Sequence, residues 1–363
     1  MHDPLNILIL GASYGSLMAT KLAMAGHAVT IICLPHEAAL INDFGTTVRF
    51  PLRNRSEMVE VRSKALGGSI VGASPADVNI DTTDLVVLAM QEPQYAAESL
   101  RNLMFDIATR RLPMMSIMNM PPKTFLRRMV GVDADALNEC FASSAVWDTF
   151  DPDMMTLCSP DPQAFRPPED GLNVLQVTLP TNFKAAAFAR PGDTALLRTL
   201  QRDIESARFG LGEESVEIPV KLKVHDSLFV PTAKWAMLLT GNYRCVLANG
   251  TRAIREAVHS DIQASQAVYT WVQKVCVTLG ASPDDLVPFE KYAAAAQGLS
   301  KPSSAARALF AGAPHIERVD LLVQKIASQL GMRHGLVDET VNAVNHRLEI
   351  NRAAQSSHQI KTA

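Results

Sequence analysis

The sequence is poor in cysteine and gives its cysteines no pattern. Cys33, Cys140, Cys158, Cys245 and Cys276 are scattered, odd in number and without a C-x-x-C spacing. That argues against a disulfide framework or a cysteine zinc site and fits reduced thiols in a cytoplasm. An excess of charge of either sign is missing too: 34 Lys and Arg stand against 37 Asp and Glu, a formal net charge of −3. There is then no general electrostatic case for nucleic acid or a membrane surface as a partner. Apolar runs such as Leu85–Met90 are far too short to span a bilayer. The opening MHDPLN enters an apolar run without the basic and hydrophobic regions of a signal peptide. No residue spacing suggests a metal site, and there is no G-x-S-x-G elbow, Cys–His nucleophile signature, internal repeat or low-complexity tract. A soluble cytoplasmic protein is the expectation.

What is present is a large apolar content. Of 363 residues 47% are apolar and 20% charged, enough for a substantial core in two domains or one large one. NILIL (6–10) and AVTIIC (28–33) are short, non-alternating and rich in Ile, Leu and Val, as buried parallel strands are. Between them Ser16–Ala25 has helical composition, with Gly26 placed as its C-cap. DLVVLAM (84–90) and PMMSIM (113–118) are two further buried strands, with a helix near Tyr95–Thr109 between them. This alternation predicts a doubly wound sheet with ligands at the strand C-termini. Residues 145–220 mix Pro- and Asp-rich loops with strands at LNVLQVTL and VEIPVKLKV and a helix at DTALLRTLQRDIESARF. From about Val230 the segments are helical in period or composition. The expected fold is α/β over 1–220, followed by an all-α domain over 221–363. Its apolar Trp235 and Leu321–Leu322 make that domain the candidate for homodimerisation.

The first strand-to-helix turn reads Gly11-Ala12-Ser13-Tyr14-Gly15-Ser16, that is G-x-S-x-G-S rather than G-x-G-x-x-G. Such a turn binds a pyrophosphate through helix N-terminal N–H groups and the macrodipole, and needs small residues so that backbone can approach. Gly11 can supply the tight turn, and Ser13 is small and adds a hydroxyl. Counting back from Gly26-His27 puts Gly15 in the third-glycine place, in a loop one residue short; counting from Gly11 puts Ser16 there. Gly11, Ser13, Tyr14, Gly15 and Ser16 are the candidate cofactor-binding residues. The other reading is an ordinary βα turn with no nucleotide. At the end of the second strand, where an acidic residue reads the ribose of NAD and an arginine the phosphate of NADP, stand Cys33-Leu34-Pro35-His36-Glu37. Glu37 reaching the ribose would favour NAD, and His36 could help to hold a phosphate; otherwise both are solvated surface.

DLVVLAMQEPQY, MMSIMNMPP, AKWAMLLTGNYRCVLANG and KPSSAARALFAGAPHIERVDLL occur in that order. With these segments the chain resembles the ketopantoate reductase (2-dehydropantoate 2-reductase) family over nearly its whole length, as a divergent member. The resemblance implies a Rossmann-like domain followed by an α-helical domain similar to that of 6-phosphogluconate dehydrogenase, and NADP or NAD as cofactor. Asn119 falls on an asparagine near nicotinamide and substrate, Lys234 on the catalytic lysine, Asn242 on the second of two substrate-facing asparagines, and Ser303 on a substrate-binding serine. The first of those asparagines is here Leu238. The substrate-binding glutamate falls on His315 by ungapped count, or on Glu317 if the register slides by two. The arginine and lysine that serve the NADP phosphate appear as Leu34 and Gln91. The stretch between Asn119 and Lys234 is longer than is usual in the family.

Hydride transfer to a carbonyl builds negative charge on oxygen, which a lysine in a dry cleft can meet with a proton. Lys234 precedes the apolar WAMLL; its other reading is a surface lysine at a helix start. Asn242 lies two turns further along the same broad face. Ser303 suits a helix N-cap as well as a substrate contact. His315 could be a second acid/base group or carboxylate anchor, or an exposed capping histidine. The expected function is an NAD(P)-dependent oxidoreductase acting on a small 2-oxo acid, with Asn119, Asn242 and Ser303 orienting the substrate. The alternatives are an imine-reducing, opine-type dehydrogenase and a non-catalytic nucleotide-binding or regulatory protein on the same fold.

Overall fold

The computed structural model describes residues 3–53 and 55–362. They form two compact units. One takes the chain up to Met90, Gln94–Phe125 and Val146–Asp226; the other takes Gln91–Pro93, Leu126–Ala145 and the chain from Ser227 onward.

The strands of the first unit are β1 (Asn6–Leu10), β2 (Ala28–Ile32), β3 (Thr47–Phe50), β4 (Val59–Arg62), β5 (Ser69–Ala73), β6 (Leu85–Leu88), β7 (Met114–Ile117), β8 (Met155–Ser159), β9 (Gln163–Phe165), β10 (Val174–Leu179), β11 (Phe183–Ala186), β12 (Phe209–Leu211), β13 (Glu214–Val216) and β14 (Leu222–His225). Eight of them make one sheet in the order β14-β11-β8-β7-β6-β1-β2-β5. Every neighbouring pair is parallel except β8 and β11. The four apolar runs expected as strands are β1, β2, β6 and β7, and β6 and β7 are buried along their whole length. A second sheet, β4-β3-β10-β9, and a β12–β13 hairpin complete the unit. Its helices are α1 (Ala12–Met24), α2 (Pro35–Phe44), α3 (Arg101–Thr109), the single turn α4 that starts at Lys123, and α5 (Pro191–Ser206).

Two buried polar groups fix α1 to its surroundings. His27, after its C-terminus, accepts from the Leu5 N–H at Nδ1 and lies 3.3 Å from Asp203 of α5 through Nε2. Lys21 is 2% exposed, donates to the Ile218 carbonyl at 2.7 Å and sits 6.0 Å from the Phe50 ring centre. Burial drives its amine down to about 7; Glu217 opposes that, while Lys221 and Arg208 add to it. The acceptor strand is itself irregular: VEIPVKLKV, expected as one strand, breaks between β13 and β14, where Pro219 offers no N–H and Val220 has φ 72°.

The helices of the second unit are α6 (Lys234–Met237), α7 (Ile254–His259), α8 (Ile262–Thr278), α9 (Phe289–Ala296), α10 (Ser304–Phe310), α11 (Val319–Gln329) and α12 (Gly335–Thr362). The boundary expected at 220 falls instead between Asp226 and Ser227, because β14 pairs with β11 in the large sheet. Leu126–Ala145, expected in the first domain, belongs to the helical unit. Gln329 of α11 exchanges hydrogen bonds with Asp133, and Lys325 pairs with Glu139 at 2.6 Å. Trp235, Leu321 and Leu322 are core residues of this unit, so they offer no face for a dimer. No helix among the described residues is long and apolar enough to cross a membrane, and no group of three potential metal ligands occurs among them.

Lys21 generates a prediction. In the folded protein its amine loses its proton near pH 7, in the unfolded chain near 10.5. Between those values the unfolded state binds more protons, so stability rises with pH. Wild-type stability relative to Lys21→Met should climb by up to about 1.4 kcal/mol per pH unit between pH 7 and 10. Urea unfolding of both proteins across that range measures it; parallel pH profiles would show the amine is not desolvated.

Candidate functional site

The β1–α1 connection is one residue long. Strand β1 ends at Leu10 and α1 starts at Ala12, leaving Gly11 with φ 111° and ψ 114°. A side chain there would be strained, and its Cβ would lie 2.5 Å from Met90 Cγ and 3.0 Å from the Ala89 carbonyl oxygen. A Cβ on Gly15 would lie 2.7 Å from Ile9 Cγ2, so Gly15 is what lets α1 sit against β1. Close packing of helix on strand is also what the third glycine serves in dinucleotide-binding turns. Ser16 is buried and donates back to the Ala12 carbonyl at 2.5 Å. Tyr14 donates to the Pro162 carbonyl at 2.7 Å and meets Phe183 edge-on. Burial, with Cys158 and Asp161 adding, raises its hydroxyl well above the usual tyrosine range. Ser13 alone of the five is exposed. The N-terminus of α1 has no side-chain cap and no acidic residue in its first turn. It stands where β1, between β2 and β6, forms the switch point of the sheet. Its N–H groups and dipole are therefore available to an anion.

At the end of β2, Leu34 is the N-cap residue of α2 and is 60% exposed. Glu37 folds back so that Oε2 accepts from the Leu34 N–H at 3.4 Å, while Oε1 meets Arg166 Nη1 at 2.6 Å. His36 is exposed, as is Gln91 beyond β6. Asn119, half-buried, follows β7. The loop after it is pinned by Lys123, 1% exposed, whose amine lies 2.5 Å from Asp148, and by Thr124, which donates to the Trp147 carbonyl.

In the helical unit, Lys234 is half-buried at the start of α6, after a 3₁₀ turn at Pro231–Ala233. The helix then widens into a π turn, Leu238–Asn242. Its carbonyls find partners on side chains. Met237 accepts from Tyr292 at 3.1 Å, Thr240 from Arg244 at 3.3 Å, Gly241 from the Cys245 thiol at 3.3 Å and Asn242 from Ser303 at 2.7 Å. A Cβ on Gly241 would lie 2.1 Å from the Tyr292 hydroxyl, so only glycine admits that ring. Ser303 is buried and also caps α10, accepting from Ala306 N–H at 3.1 Å. The Asn242 side-chain amide, half-buried, makes no hydrogen bond among the described residues. Next to it Tyr243 donates to the Glu317 carbonyl at 2.5 Å and accepts from Val319 N–H at 3.1 Å. A buried bidentate pair, Arg318–Asp320, holds the same segment.

The structure thus joins Ser303 to Asn242 and ties the backbone of Glu317 to the same helix. It does not join His315 to them. That ring is exposed, and burial and Arg352 lower its basicity. Sequence reasoning missed Arg166 and Tyr292. Each acts on a partner far along the chain, and only the glycine inside the helix at 241 hinted at the second.

No family model matches the sequence, and no curated protein matches it. Solved structures do. A 2-dehydropantoate 2-reductase from Methylococcus capsulatus superposes with a TM-score of 0.67 at 13% identity, over 95% of this chain and 97% of that one. A ketopantoate reductase from Ralstonia eutropha JMP134 gives 0.61 at 15% identity, over 96% and 100%. A D-mandelate dehydrogenase solved with NADH and anilino(oxo)acetate gives 0.62 at 14%, again over 96% and 100%. The chain has the fold of the ketopantoate reductases: a Rossmann-like α/β unit and a helical unit.

The π turn makes Ser303 doubly engaged. Ser303→Ala should cost about 1–2 kcal/mol in urea unfolding, through the lost cap and the unpartnered Asn242 carbonyl. A change within about 0.5 kcal/mol would mean that the turn does not depend on it.

Proposed function

We propose that this protein is a nicotinamide-dependent oxidoreductase that reduces the carbonyl of a small 2-oxo acid, with Lys234 as proton donor. The observation that carries the reading is the uncapped, acid-free N-terminus of α1 at the switch point of the sheet. The residues present fit a dinucleotide: backbone N–H groups for a pyrophosphate, the exposed Ser13 hydroxyl beside them, and no carboxylate in the first turn to repel it. The likeness of the fold to a D-mandelate dehydrogenase solved with NADH supports the same choice. The nicotinamide, when bound, supplies the hydride.

In this reading Lys234 delivers a proton from Nζ to the carbonyl oxygen as charge builds there. Asn242 holds a substrate oxygen with its otherwise unengaged amide. Ser303 is a positioning residue, because its O–H is already committed to the Asn242 carbonyl. Asn119, at the end of β7, is the polar group of the α/β unit assigned to orienting substrate and nicotinamide. An imine substrate would call for a second acid/base group at His315. The exposed place of that ring beside Arg352 favours the 2-oxo acid.

Fluorescence titration with NADH and NADPH, followed by a screen of 2-oxo acids with and without added amine, tests the reading. Saturable nucleotide binding and turnover without amine are expected. Lys234→Ala should lower kcat roughly 10²–10⁴-fold while leaving the nucleotide Kd unchanged. Unchanged turnover would remove Lys234 from the chemistry. Failure of both nucleotides to bind at millimolar concentration would leave a protein that uses this fold without the nucleotide.

A further inference from the structure

We propose that the Arg166–Glu37 ion pair at the end of β2 makes the protein select NADH over NADPH. The inference rests on the nicotinamide-binding reading above and concerns only which dinucleotide is taken. In doubly wound folds the adenosine ribose is read at the carboxyl end of the second strand, where a carboxylate accepts from a 2′-hydroxyl and an arginine pairs a 2′-phosphate. This chain has both groups at that end, and they are bonded to each other.

The geometry decides which of the two is on offer. Glu37 is 13% exposed and Arg166 22% exposed, with 2.6 Å between Oε1 and Nη1. The carboxylate is not extended into solvent. Its other oxygen turns back over the first turn of α2 to the Leu34 N–H, directly after the β2 tip. Burial chiefly raises the Cys33 thiol, last before Leu34, with Glu37 adding to the rise and Arg166 opposing it. The guanidinium comes from the residue after β9.

An ion pair of this kind carries no net charge. A 2′-phosphate adds close to two negative charges and would meet a carboxylate whose arginine is already matched. Leu34, at the tip, supplies no cation to compensate. A 2′-hydroxyl needs only one acceptor, and a carboxylate with about four lone-pair sites has two left after Leu34 and Arg166. The pair therefore accommodates a ribose hydroxyl and opposes a phosphate. Arg166 acts as a positioning residue, holding Glu37 in place.

The test is fluorescence titration with NADH and with NADPH at pH 8, where histidine side chains are ordinarily neutral, on wild type, Glu37→Gln and Arg166→Met. Thermal unfolding checks that each variant is folded. Wild type should bind NADH at least about tenfold more tightly than NADPH, a difference of roughly 1.4 kcal/mol. Glu37→Gln keeps an oxygen for the Leu34 N–H but removes the charge and releases Arg166, so the NADH:NADPH preference should shrink about tenfold or reverse. Arg166→Met leaves the carboxylate unmatched, so the preference should widen. A wild type that prefers NADPH, with the preference lost in Arg166→Met, would overturn the proposal and make Arg166 a phosphate clamp. Equal shifts for both nucleotides in the variants would also overturn it and leave the pair as an anchor between α2 and the β9–β10 loop. If one variant fails to fold, the wild-type ratio and the other variant decide. Absence of binding by either nucleotide would instead overturn the nicotinamide reading itself, and this proposal with it.

Discussion

A buried carbonyl must have a hydrogen-bond partner, and a π turn interrupts the regular ladder that an α-helix provides. The turn at Leu238–Asn242 meets that requirement by drawing side chains from several directions: Tyr292 from α9, Ser303 from the start of α10, and Arg244 and Cys245 from the residues that follow it. Tyr292 is in turn stacked on Tyr269 of α8 at 5.4 Å. The helix that carries Lys234 and Asn242 is therefore fixed by the unit around it, and the positions of α9 and α10 are fixed by the helix. The turn also changes the phase. At 3.6 residues per turn a residue eight positions on lies about 80° past the first. A wider turn takes up more residues and brings Asn242 back toward the face of Lys234.

The α/β unit obeys a comparable constraint at its first turn. With a single connecting residue, α1 must pass close to both β1 and the end of β6, and glycine at 11 and 15 is the condition for it. The same closeness draws Tyr14 and Ser16 into internal hydrogen bonds, so the polar capacity left at the turn is backbone N–H and Ser13. A phosphate held there would be held by the helix end rather than by a set of side chains. Discrimination between nucleotides must then arise elsewhere, which is why the charges at the end of β2 carry weight.

How much of this was legible in the sequence follows from the range of the interactions. Fully buried parallel strands show as continuous apolar runs, so β1, β2, β6 and β7 could be read directly. Strand β5, at the sheet edge, exposes Ser69 and Val71, and it gave no comparable run. The Ser303 cap was readable because its partner lies three residues away. The Glu37–Arg166 pair was not, because its members are 129 positions apart and each alone resembles a surface charge. The division of the units at Asp226–Ser227 was not legible for the same reason: nothing local marks LKVH as the last strand of a sheet begun at residue 6. The transfer of Leu126–Ala145 to the helical unit likewise depends on contacts with α11, about two hundred residues later.

The two registers that the sequence left open for the substrate-binding glutamate, at His315 or Glu317, are not equivalent in the fold. His315 belongs to a stretch held by α12: Asn351 donates to the Leu309 and Ala313 carbonyls, and Arg352 to that of Pro314. Burial and Arg352 lower its basicity, which weakens any claim to anchor a carboxylate. Glu317 is placed by a different set of contacts, with Tyr243 binding its carbonyl and the Arg318–Asp320 pair closing the next residues. Tyr243 follows Asn242 directly, so the π turn is hydrogen-bonded through Tyr243 to the Glu317 carbonyl, whereas the stretch before His315 is held from α12. That coupling favours the register shifted by two. On the proposed reading it would give that position an acceptor, suited to a substrate hydroxyl, rather than a second proton donor.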